Sequence, residues 1–68
     1  MKEVILDITK RIHIDLDWIE RTICERGCKV SEAVREYIDM LDDSEHYLIR
    51  ENEFNIILDA LRNDGFED

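Results

Sequence analysis

Polar and apolar residues alternate strictly from Arg11 through Ile12, His13, Ile14, Asp15 and Leu16 to Asp17. A period of two with β-branched residues predicts a half-buried strand over 11–16, with Ile12, Ile14 and Leu16 turned inward. The pattern then changes. Asp17 followed three positions later by Glu20 has the spacing of a capping box, so a helix is expected from Trp18 to Arg26, stopped by Gly27. Ser31 is placed to open a second helix, in which Val34, Ile38 and Leu41 recur on one face and which should end near Asp42. Asp43 or Ser44 can cap a third helix, with Tyr47, Phe54, Leu58 and Leu61 as its apolar stripe and Asn63, Asp64 and Gly65 as its close. The expected order is strand, helix, helix, helix.

Residues 1–9 fit two patterns, because Val4, Ile5, Leu6 and Ile8 suit either a short strand or a helical turn. A rival reading makes residues 3–26 one continuous helix, with Ile5, Ile8, Ile12, Leu16, Ile19 and Ile23 along one side. If residues 11–16 are instead extended, their amides need a partner strand, since a lone strand cannot satisfy its own backbone. The partner expected is a second copy. Two such strands about a twofold axis form an antiparallel ribbon presenting Arg11, His13 and Asp15 from each subunit, and a two-stranded ribbon fits the major groove of B-DNA.

With 68 residues and 8.2 kDa there is room for one domain. Leu, Ile, Val and Phe number 21, enough to fold despite 40% charged residues. So small a core favours self-association. The net charge of -9 is unevenly placed: residues 1–9 carry -1, residues 10–35 carry +1, and residues 36–68 carry -9. Such asymmetry suggests two different partners or one solvated acidic face. The start of the expected third helix divides the chain into a dimerisation segment, 1–43, and an acidic C-terminal helix or arm, 44–68, either part of one compact unit or a partner-binding extension. The acidity argues against generic coating of nucleic acid, so any DNA contact has to be local.

Cys24 and Cys28 are too few for a disulfide scaffold, and the opening MKEVILDITKR has no signal-peptide core. A cytoplasmic protein without a membrane span is expected. Gly27 breaks the spacing between the two cysteines and nothing supplies further zinc ligands, so no metal is expected. His13 and His46 have no nucleophile and base arrangement, and there is no glycine-rich phosphate loop. The expectation is a protein that is not an enzyme and has no cofactor. Trp18 reads as a core or dimer-interface anchor.

The stretch RIHIDLDWIERTICERGCKVSEAVREYIDML, residues 11–41, resembles the ribbon-helix-helix family of dimeric repressors and antitoxins. The resemblance lies in the alternating strand, the polar cap after Leu16, the helix ending in Gly27 and the serine four residues later opening a striped helix. It implies a mostly α homodimer acting in transcription regulation. Arg11, His13 and Asp15 would read base edges, and Lys29, Val30 and Ser31 would grip a phosphate, as amides at a helix start also can on physical grounds. Ile12, Ile14, Leu16, Val34, Ile38 and Leu41 would form the dimer core, and Tyr47, Phe54, Leu58 and Leu61 would occupy a toxin or complete the core. One departure is Asp15, which meets a negative field in the groove and can usefully accept there only from the cytosine amino group.

The spacing of Gly27, Val34, Leu41 and Asp42 is also similar to that of small helical-hairpin phosphatases of sporulation response regulators. Their serine and glutamine before Leu-Asp are replaced by Ile38 and Asp39, so their chemistry does not carry over. What carries over is an alternative: a small acidic, all-helical protein that binds and inhibits a host or regulatory protein without contacting DNA.

Overall fold

The computed structural model describes residues 2–67; Met1 and Asp68, the outer ends of the dimerisation segment and the acidic arm, lie outside the described residues. The elements are β1 (Glu3–Asp7), β2 (Arg11–Asp15), α1 (Leu16–Arg26), α2 (Val30–Asp39), α3 (Asp43–His46) and α4 (Glu51–Asn63). The single-helix reading of 3–26 is thereby overturned, and with it the all-helical form of the alternative.

β1 and β2 form an antiparallel hairpin in which Val4 lies opposite Ile14 and Leu6 opposite Ile12. These four point inward and alternate with outward residues that are polar except for Ile5, so both strands turn an apolar face to the same core. The expectation that the second strand pairs with another copy is corrected here: its ladder partner is the N-terminal segment of its own chain. The phase of the ladder follows from its two ends. Leu16 N–H donates to Lys2 O at 3.1 Å, and Ile8 N–H donates to Lys10 O at 3.2 Å. Because bonded pairs alternate in an antiparallel ladder, Val4 and Leu6 bond across to Ile14 and Ile12, while the amides of residues 3, 5, 7, 11, 13 and 15 point to the two outer edges. On the β2 edge, Asp15 N–H donates to the Tyr37 hydroxyl at 3.0 Å.

The helix boundaries shift for local reasons. Asp15, not Asp17, caps α1: it is extended, and its carboxylate accepts from Trp18 N–H at 3.2 Å, whereas Asp17 lies in the first turn and accepts from Lys2 N–H. Gly27 closes the helix as expected, left-handed at φ 66°, with its N–H on Ile23 O. Lys29, not Ser31, precedes α2, which ends at Asp39 rather than near Asp42.

The expected third helix is two helices. Leu48 and Ile49 N–H bond three residues back, to Glu45 O and His46 O, so the chain tightens and leaves the helical path after α3. A fresh start comes at Arg50, whose N–H donates to the Glu53 carboxylate at 3.0 Å.

The core is built from Leu6, Ile12, Ile14, Leu16, Ile19, Val30, Ala33, Val34, Ile38, Ile57 and Leu61, all buried. α1 packs on α2, α2 on α4, and β1 on both α1 and α4. Of the six residues assigned to a dimer core, Ile12, Ile14, Leu16, Val34 and Ile38 are therefore buried by their own chain, and Leu41 packs half-buried against them. Trp18 joins that layer with its ring 5.5 Å from the Tyr37 ring.

Candidate interaction surfaces

The hairpin turns its odd-numbered side chains outward. Glu3, Ile5, Asp7, Arg11 and His13 are exposed, and Asp15 is half-buried at the end of the row. Across the strands Glu3 faces Asp15, Ile5 faces His13, and Asp7 faces Arg11. His13 Nδ1 lies 3.3 Å from Glu3 Oε2. The face thus carries three carboxylates and one guanidinium, so its field repels phosphate. The three β2 residues assigned to base contacts are neighbours as expected, but Asp15 is committed to capping α1.

Lys29, Val30 and Ser31 lie together at the start of α2, a different element. Lys29 is exposed, Ser31 is half-buried, and the Val30 side chain belongs to the core. The four residues assigned to a partner divide as well. Tyr47 is 77% exposed between α3 and α4, Phe54 and Leu58 are half-buried, and Leu61 is fully buried. Ile57, absent from the stripe read in the sequence, is the other fully buried residue of α4. It comes three residues after Phe54 and four before Leu61, so helical spacing alone could have found it.

An open groove of about 490 Å³ is lined by Arg35, Ile49, Arg50, Glu51, Phe54 and Asn55. The Arg35 guanidinium lies 5.7 Å above the Phe54 ring. Glu53 is held below the usual carboxylate range, first by the Arg50 N–H it accepts and then by Asn52.

Behind the hairpin, Lys2 Nζ reaches Glu20 at 3.5 Å and Asp64 at 3.6 Å, tying the start of β1 to α1 and to the end of α4. Lys2 is raised by these carboxylates, Asp64 above all. Glu20 is raised as well, first by burial and then by the neighbouring Asp64 carboxylate, and Lys2 opposes the shift. Cys24 is exposed and Cys28 half-buried, on either side of Gly27. His46 Nδ1 rests 3.3 Å from Ile38 O.

Among the described residues no helix is long and apolar enough to cross a membrane. No family model matches the chain, and no curated protein and no solved structure matches it.

Proposed function

We propose that the chain is a protein-binding module that engages a basic surface or segment of another protein. The observation that carries this reading is the outer face of the hairpin, where Glu3, Asp7 and Asp15 outnumber Arg11. A face of that sign is repelled by a phosphate backbone and attracted by lysine and arginine. The charge of the whole chain, -9, adds a long-range field of the same sign that speeds encounter with a basic partner. The reading assigns no catalysis, cofactor or metal. An antitoxin held on its toxin would be one case of it.

A second reading, a homodimeric DNA-binding repressor, draws support from Arg11 and His13, which are both exposed on the outer face. One experiment separates the two. The chain is offered, at low salt, a library of displayed random peptides and a pool of random DNA duplexes. Enrichment of lysine- and arginine-bearing peptides, with binding that falls as salt rises, is expected. Enrichment of a duplex sequence without any peptide would overturn the protein-binding reading.

A further inference from the structure

We propose that the outer edge of β1 is a docking edge, which takes an extended, basic segment of a partner protein as a third strand of the sheet. The proposal rests on the protein-binding reading and gives it a site and a mode. The ladder phase is its foundation. With the hairpin bonds made through residues 4, 6, 12 and 14, the backbone N–H and C=O groups of Glu3, Ile5 and Asp7 point away from β2. No backbone hydrogen bond outside the hairpin reaches these groups among the described residues. The edge of β2 differs, because the Tyr37 hydroxyl from α2 already closes it at Asp15. Of the two edges, that of β1 has no such hydrogen bond at Glu3, Ile5 or Asp7 among the described residues.

The side chains along that edge say what fits there. Glu3 and Asp7 flank Ile5, which is 48% exposed. A second copy is a poor occupant: antiparallel pairing of two β1 strands about Ile5 sets Glu3 of each copy opposite Asp7 of the other, and opposed like charges destabilise a strand pair. A foreign strand with lysine or arginine opposite Glu3 and Asp7 and an apolar residue opposite Ile5 turns both repulsions into attractions. Its two intervening residues face the inner side beside Val4, itself half-buried, and Leu6, so they should be apolar too. The recognised pattern is basic, three apolar, basic. Main-chain bonds supply affinity and the alternate side chains supply selectivity, as in other strand additions.

The test uses the full chain and the peptide Gly-Lys-Val-Val-Val-Lys-Gly, monitored by NMR amide shifts. Binding should move the amides of Glu3, Ile5 and Asp7, and N-methylation of the central valine should weaken it about tenfold by removing an edge bond. Ile5→Pro should lose binding to a similar degree while keeping the hairpin, because the amide it removes points outward and makes no bond to β2. Should Ile5→Pro fail to fold, the double variant Glu3→Lys, Asp7→Lys carries the test: it should reject this peptide and take the one with glutamate in place of lysine. Shifts confined to α4, or equal affinity for the N-methylated peptide, would overturn the docking edge and leave the protein-binding reading standing. Edge shifts that appear on concentrating the chain alone would make the occupant a second copy and overturn the proposal. Failure of this peptide, of its charge-reversed counterpart with the double variant, and of every displayed peptide would overturn both.

Discussion

Glu20 carries a carboxylate that the fold would hold more readily as the neutral acid. Burial raises its pKa and Asp64 raises it further, while Lys2 pulls the other way. A folded pKa above the ordinary value of 4.5 means that the folded chain binds the proton more tightly than the unfolded one. The penalty is therefore absent below that pH and builds as pH rises through the raised value. Glu20→Gln should consequently melt at a higher temperature than the parent at pH 7 and at the same temperature near pH 4, read by circular dichroism. A lower melting temperature at pH 7 would show that the attraction of Lys2 outweighs burial. At this scale the sequence was partly legible. A carboxylate cap near the start of the first helix was readable, but the sequence pointed to Asp17, because the alternation of the strand runs through Asp15 into the cap without a break. Only the amide of Trp18, bonded to Asp15, decides between them.

Elements were legible where a single period dominated. β2, α1 and most of α2 emerge from the alternation and from the Val34 and Ile38 stripe. β1 was ambiguous for a physical reason: Val4, Ile5, Leu6 and Ile8 fit either period, and the turn Ile8-Thr9-Lys10 lacks the glycine or asparagine that marks tight hairpins. What makes it a strand is the apolar face of β2 opposite it, which no local window contains. The break between α3 and α4 was hidden likewise, since a helix start carried by Glu53 on the Arg50 amide needs no serine or threonine. Truncation after Asp43 tests what α4 is for. It deletes Ile57 and Leu61, both fully buried, and losing a buried aliphatic side chain costs about 2–5 kcal/mol. Domains are stable by only about 5–15 kcal/mol, so the truncated chain should be unfolded by circular dichroism. A folded product would mean that the sheet, α1 and α2 stand alone and that α4 is an arm.

In the whole molecule, the core that the sequence shared between two copies is closed within one, because β1 and α4 cover the faces left for a partner. An obligate dimer gains stability with concentration by mass action. This chain should not, and its melting temperature should stay constant over a hundredfold dilution; a steady rise with concentration would restore the dimer. The candidate surface was legible as residues and not as a site. Arg11 and His13 were found, but the carboxylates that set the sign of their face come from β1, the strand whose conformation the sequence left open. The ion pair of Lys2 with Asp64 carries one more consequence, in the order of folding. The hairpin and the α1–α2 pair join neighbours in sequence and close short loops. α4 has to return across α1, α2 and α3 to reach β1, and the entropy of that closure is met before its contacts reward it. Until that closure the part of the hairpin's inner face that α4 covers is open to water, and the nascent chain is more prone to aggregate in the interval before its last helix arrives.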